Sequence, residues 1–277
     1  MAVADVESQN REFAWTTADF GRIKDLIYRH AGISLHDGKH AMVYSRISRR
    51  LRETGHSSFK NYLDWLESNG GDEWQEFVNA LTTNLTSFFR ENHHFTELDR
   101  IVRSTPAGHE WKIWCSAAST GEEPYSIAIT MADALGLNGN FRIWASDIDT
   151  KVLDKGAQGI YKLENMKNVS SSQLQKYFLK GKGGNQGLAR AKPELQKHIQ
   201  FFTLNLIEEN WSLKEQFDVV FCRNVMIYFD NATQRQVLAR IHRLMKPKGT
   251  LFVGHAENFS DVRNLFALRG KTVYEKV

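Results

Sequence analysis

Trp111-Lys112-Ile113-Trp114-Cys115-Ser116-Ala117-Ala118-Ser119-Thr120-Gly121-Glu122-Glu123-Pro124 packs an apolar strand, a turn of small residues and a helix start into fourteen positions. A strand end running through small residues into a helix N-terminus is where the first turn of an α/β sheet meets its ligand. Pro124 suits the first helical position, where a missing N–H costs nothing. The turn has one glycine, Gly121, not the G-x-G-x-x-G of dinucleotide binders, and it carries two carboxylates where a pyrophosphate would sit. Negative charge there repels phosphate and suits a cationic or hydroxyl-bearing ligand. The competing reading of Glu122 and Glu123 is that they only complement the helix dipole.

Outward from this turn the chain alternates. Residues 124–135 read as a helix closed by Gly136, and 141–145 as a second strand leading to Asp147. Further strands are expected at 201–204, 219–222 and 251–253, with a helix over 233–245 and a final, antiparallel edge strand over 272–275. Strands alternating with helices predict an α/β domain with a mostly parallel sheet. Residues 152–200 are too long for one crossover and hold six glycines, so they are expected to form a small antiparallel β insertion; a long irregular loop is the alternative. Before residue 108 the spacing is helical: Phe20, Ile23, Ile27 and Tyr28, then Met42, Ile47 and Leu51, then Phe59, Leu63 and Leu66, then Phe77, Ala80 and Leu81. The expected organisation is a small all-α domain over 1–90, a linker helix over 91–108 and an α/β domain over 109–277.

Composition bounds the rest. Of 277 residues 42% are hydrophobic and 25% charged, enough for a packed core. Lys and Arg (36) exceed Asp and Glu (32) by only four, which demands no nucleic-acid partner. Apolar runs are strand-sized, so no spanning helix is expected. The first ten residues lack the basic and apolar blocks of a secretory signal. Two cysteines, Cys115 and Cys222, make neither a disulfide framework nor a zinc site, and His30, His36, His40, His93 and His94 lack ligand spacing, so no metal is expected. A cytoplasmic monomer is the resulting expectation. One local excess stands out: between residues 20 and 52 eight bases face two acids, which reads as an ordinary solvated face or as a docking surface for an acidic helix.

Asp147 follows Gly121 by 26 residues, near the distance at which an acid after the second strand accepts from ribose hydroxyls. An Asp after a strand is also a common helix cap; Asp149 could take that role and leave Asp147 to a ligand. A ribose, no phosphate chain and a positive charge together describe S-adenosylmethionine better than other nucleosides.

Five stretches carry a resemblance: 83–90 (Thr83-Asn84-Leu85-Thr86-Ser87-Phe88-Phe89-Arg90), 117–126, 145–149, 221–229 (Phe221-Cys222-Arg223-Asn224-Val225-Met226-Ile227-Tyr228-Phe229) and 254–259 (Gly254-His255-Ala256-Glu257-Asn258-Phe259). In this order they resemble the motif series of the CheR chemotaxis receptor methyltransferases, with Ala256 where the family often has serine. The resemblance implies a Rossmann-like S-adenosylmethionine-dependent methyltransferase domain with a β insertion, preceded by a small all-α domain. It also implies methyl esterification of glutamates on chemoreceptor helices. Carried over by position, it puts Asn84, Thr86, Arg90, Glu122, Asp147, Asn205, Leu206, Arg223 and Asn224 around the cofactor, and Arg90 and Tyr228 at the transferred methyl. It leaves open whether Glu122 or Glu123 is the binding acid. Related enzymes pair the insertion with a receptor's C-terminal peptide, which Lys180, Lys182 and Arg190 would suit here. A catalytically silent adaptor and a nicotinamide dehydrogenase are the alternatives; the single-glycine turn disfavours the latter. A purely structural role for Arg90 would be an ion pair with Glu91 or Glu97.

Overall fold

A computed structural model describes residues 11–259 and 262–277. The chain divides into two compact units: one runs to Thr83 and includes Tyr228–Asp230, and the other comprises Asn84–Ile227 and Asn231–Val277. Residues 84–90, expected in the helical domain, belong to the second unit. The local reason is Phe88, which is buried against Tyr161 and Phe178 of that unit.

The first unit holds four helices among its described residues: α1 (Thr17–Ala31), α2 (His40–Thr54), α3 (Phe59–Asn69) and α4 (Glu73–Leu81). Thr16 and Asp19 form a capping box at the start of α1, and Ser58 caps α3. Ile23, Ile27, Val43, Ile47, Leu51, Leu63, Leu66 and Phe77 are fully buried, so helical spacing located most of this core. Val43 replaces the expected Met42, and Tyr28 faces outward.

Most bases of residues 20–52 meet a carboxylate in the fold. Arg50 is buried and binds Glu73 in bidentate fashion (Nε to Oε1, 2.8 Å; Nη2 to Oε2, 2.5 Å), with Glu53 also on its guanidinium. Tyr62 donates to the same Glu73. Arg22 pairs with Asp64 and Glu67, Arg49 with Glu53, Arg52 with Glu12, Arg29 with Glu67 and Lys24 with Asp37. Arg46 donates to the carbonyls of Ala80 and Thr82. Six of the eight bases thus meet a carboxylate, three of them (Arg22, Arg29 and Arg50) through acids of α3 and α4.

The second unit is built on a seven-stranded sheet ordered β6-β2-β1-β7-β8-β10-β9. Its strands are β1 (Trp111–Cys115), β2 (Phe141–Asp147), β6 (Ile199–Thr203), β7 (Phe217–Cys222), β8 (Met245–Val253), β9 (Phe266–Gly270) and β10 (Val273–Lys276). The first four and β8 pair in parallel, and β10 is antiparallel to both β8 and β9. The last strand, expected at the edge, lies one place inside, because a hairpin through Thr272 (φ 57°) brings β9 outside it. Only Phe266 of β9 is buried, so its pattern lacks the apolar alternation that marks a strand.

Helices α5 (His93–Ser104), α6 (Glu122–Leu135), α7 (Thr150–Gln158) and α10 (Asn231–Leu244) accompany this sheet. Trp111, Ile113 and Cys115 of β1 join Phe141, Ile143 and Phe221 in one core with Ile127, Ile129 and Met131 of α6. Cys115 and Cys222 are free and fully buried, as packing residues should be. The insertion is a three-stranded antiparallel sheet of β3 (Ile160–Lys162), β5 (Leu188–Ala191) and β4 (Phe178–Lys180), with α8 (Ser171–Tyr177) before β4 and the single turn α9 (Pro193–Gln196) after β5. It is shorter than the expected span, because α7 and β6 belong to the main α/β layer. Among the described residues no helix is long and apolar enough to cross a membrane.

Candidate cofactor site

Parallel strands end on one side of a sheet, and several of the predicted residues lie on that side. The turn after β1 is held by backbone contacts to its neighbour: Ala118 N donates to Ser146 O (2.8 Å) and Ser119 N to Asp147 Oδ2 (2.8 Å). Gly121 sits before α6 with φ 96°, a region open to glycine. A Cβ there would stand 2.6 Å from the Tyr161 hydroxyl and 2.8 Å from Gly156 Cα. Glycine therefore lets α7 and the insertion close onto the turn, and Tyr161 locks the approach by donating to Thr120 O (2.9 Å).

The adjacent acids divide their work. Glu123 is buried, pairs with Arg223 Nη1 (2.5 Å) and accepts from Cys115 Sγ (3.2 Å). Glu122 lies one helical step around; it is half-buried, accepts from Thr120 Oγ1 (2.6 Å), and burial raises its pKa. Glu122 is thus the acid whose carboxylate is not committed to a buried ion pair.

Asp147 and Asp149 divide likewise. Asp149 caps α7, accepting from Lys151 N (3.0 Å) and Val152 N (3.3 Å), and also accepts from Asn84 Nδ2 (2.7 Å). Asp147, only 7% exposed, ends β2 and accepts from Ser119 N and Asp149 N (3.0 Å). Burial outweighs those bonds and lifts its pKa to about 6. A hydroxyl donor arriving there would compensate a carboxylate that burial disfavours.

Residues 84–92 cross this edge. Asn84 O accepts from Ser119 Oγ (3.3 Å), Phe89 N donates to Ser126 Oγ (2.9 Å), and Arg90 Nη1 donates to Leu85 O (2.8 Å). Thr86 is half-buried within the same stretch. Phe89 and Glu91, flanking Arg90, are both left-handed (φ 52° and 57°), at a cost of about 1–3 kcal/mol each. The ion pairs offered as a structural role for Arg90 do not form among the described residues: Glu97 pairs with Arg100, and Glu91 with Arg223.

Asn205 and Leu206 follow β6, next to β2; Leu204 N donates to Asp147 O (3.0 Å), and the buried Leu206 offers its carbonyl to Arg240. After β7, Arg223 points inward and Asn224 is left-handed (φ 59°). Glu257, which carries no expected role, organises this turn. Its carboxylate is buried and accepts from Asn224 N (2.9 Å), Met226 N (2.8 Å) and Gly254 N (2.5 Å). The available clue is an acid within the 254–259 motif, but that it folds back onto 224–226 is a long-range fact. His255 is exposed and stacks on His93. Tyr228 falls in the first unit, where its carbonyl accepts from Ser34 N (2.8 Å).

Asn84, Arg90, Glu122, Asp147, Asn205 and Asn224 thus share the carboxyl edge of β1, β2, β6 and β7. Carboxylates and amides dominate this edge, and no glycine-rich phosphate cradle is present in its first turn. Such a donor set fits a sulfonium nucleoside: acids for the ribose and the positive charge, no cationic nest for phosphates. The class defined is an α/β enzyme that binds a nucleoside at its sheet edge. Residues 84–274 match the family model described as CheR methyltransferase, SAM binding domain, and residues 18–82 match CheR methyltransferase, all-alpha domain. The chain belongs to the CheR methyltransferase family, and its cofactor is S-adenosylmethionine.

Among similar proteins, the chemotaxis protein methyltransferase of Salmonella typhimurium is 52% identical over 266 residues, covering 95% of this chain and 92% of that one. Chemotaxis protein methyltransferase 2 of Pseudomonas aeruginosa is 48% identical over 267 residues, covering 96% and 95%. A solved structure, the DszA carbon methyltransferase, aligns with a TM-score of 0.38 at 17% identity, covering 85% of this chain and 47% of that one.

Proposed function

We propose that this chain methylates glutamate side chains on the cytoplasmic helices of chemoreceptors, forming methyl esters in chemotactic adaptation. One observation carries the reading: Arg90 has no carboxylate partner among the described residues, although its backbone is tied to the cofactor edge. A cation held there without an internal acid suits a substrate that brings its own carboxylate. Relatives at 48–52% identity named chemotaxis protein methyltransferases support the same substrate class.

Bound S-adenosylmethionine supplies an electrophilic methyl group that a carboxylate oxygen takes by in-line displacement. A glutamate, with a free pKa of about 4.3, is ionised at neutral pH, so the chain need supply no base. Asp147 and Glu122 hold the ribose and the amino-acid end, with Asn84, Thr86, Asn205, Leu206 and Asn224 completing the cofactor's surroundings, while Arg223 lies buried behind them on Glu123. Arg90 steers the glutamate, and Tyr228 orients it through its hydroxyl. Alignment of this kind contributes up to roughly 7–11 kcal/mol. Charge disappears as the ester forms, so excluding water favours the reaction. The insertion's outer strands, with exposed Ile160 and Leu179, offer edges to which a receptor's C-terminal peptide would add as a further strand.

The test is transfer of labelled methyl groups from cofactor to a receptor cytoplasmic fragment, with release as methanol in mild base. Arg90→Ala and Tyr228→Phe are expected to lower turnover at least tenfold while changing adenosylhomocysteine affinity much less. No base-labile label, or wild-type turnover in both variants, refutes the reading.

A further inference from the structure

Resemblance alone places Arg223 beside the cofactor, yet its side chain is fully buried. Nη1 pairs with Glu123 (2.5 Å), while Nη2 lies 3.3 Å from Glu91 Oε2 and donates to the Arg90 carbonyl (2.6 Å). The other Glu91 oxygen accepts from Asn224 Nδ2 (3.3 Å) and His255 N (3.4 Å). Glu91 Oε2 and Arg223 Nε are both buried without a hydrogen-bond partner, so the Arg223–Glu91 contact is one of charge more than of hydrogen-bond geometry. One guanidinium therefore ties three things together: the first turn of α6, the end of β7, and a backbone that is left-handed on both sides of Arg90.

We propose that the buried Glu123–Arg223–Glu91 clamp is a positioning device for Arg90, with Arg223 and Glu91 as positioning residues. This rests on the reading of Arg90 as the group that meets the substrate carboxylate. An arginine suits the place because it stays charged at any working pH and its planar fork reaches several acceptors at once; a lysine ammonium does not. Glu123 adjoins Glu122 in the turn that also holds Asp147 through Ser119. The clamp thereby fixes the substrate-facing cation in the same frame as the cofactor's anchors. Left-handed conformations at Phe89 and Glu91 persist only when their surroundings impose them, and the clamp holds the peptide between Arg90 and Glu91 from both ends.

A double-mutant cycle separates positioning from plain stabilisation. Glu91→Gln keeps the shape and removes the charge. In the full-length chain with a receptor fragment, kcat is expected to fall about tenfold, with the adenosylhomocysteine Kd within about threefold of wild type. Arg90→Ala/Glu91→Gln is expected to be no more than about twofold slower than Arg90→Ala alone, since a positioning residue has nothing left to position. Wild-type kcat in Glu91→Gln, or losses that multiply in the double variant, overturns the proposal. Should Glu91→Gln fail to fold, Arg223→Lys takes its place in the same cycle with the same expectations. If Arg90→Ala itself turns over normally, the assignment of Arg90 falls and the clamp's role with it; a slow Arg90→Ala beside a normal Glu91→Gln removes the clamp alone.

Discussion

Replacing Asp147 by Asn should stabilise the cofactor-free protein while weakening its hold on the cofactor. Burial lifts the Asp147 pKa from 3.8 to about 6. The folded state therefore holds that proton more tightly than the unfolded chain does. Stability from this group is complete below about pH 4, declines between pH 4 and 6, and stays reduced above 6. Two pH units correspond to about 3 kcal/mol of destabilisation at neutral pH. Asn cannot ionise, so this cost vanishes. Its amide nitrogen cannot accept, however, so one of the bonds from Ser119 N and Asp149 N is lost, at about 1–2 kcal/mol. The net gain is about 1–2 kcal/mol at pH 7.5, a Tm rise of a few degrees in a chain of this size. The assay is denaturation of both proteins without cofactor at pH 5, 6 and 7.5. Other titrating groups cancel in the difference, which should grow with pH and level off above 6. With Asp147 as the proposed ribose acceptor, loss of its charge should weaken adenosylhomocysteine binding about tenfold or more by calorimetry. A variant less stable than wild type at pH 7.5, or a difference flat from pH 5 to 7.5, would refute the reasoning.

Two further outcomes follow from how charges are partnered. Glu122→Gln should weaken cofactor binding severalfold with little change in Tm, whereas Glu123→Gln should cost about 2 kcal/mol or more of stability by depriving the buried Arg223 of a partner; calorimetry and denaturant titration distinguish the two. Arg50→Ala should destabilise the helical unit by about 3–5 kcal/mol, because it leaves Glu73 buried with no guanidinium; a denaturation curve matching wild type would return Arg50 to an exposed docking surface.

Several features of this protein are legible without coordinates because they are local. A turn of small residues between an apolar strand and a helix announces an α/β edge, although α6 starts at Glu122, two residues before the expected Pro124. The glycine count of 152–200 marks an insertion, and helical spacing marks helices α1 to α4 of the first unit. Asp149 can be anticipated as a cap because capping is settled within three residues. The candidate cofactor residues emerge through ordered motifs, which retain positions but not the direction in which side chains point.

The tertiary structure decided the rest, and in each case through partners distant in sequence. Glu122 and Glu123 are equivalent as letters, but one helical step turns Glu123 into the core to meet Arg223, a hundred residues on. Eight bases within residues 20–52 look alike as letters, but α3 and α4 bring Asp64, Glu67 and Glu73 to Arg22, Arg29 and Arg50 alone. Strand β9 has a weak pattern of its own and exists because β10 offers it a ladder. Hydrogen bonds act over a few ångströms and exposed charges are screened within about 10 Å, so both are set by spatial neighbours, and a linear chain shows only the neighbours that adjoin in sequence.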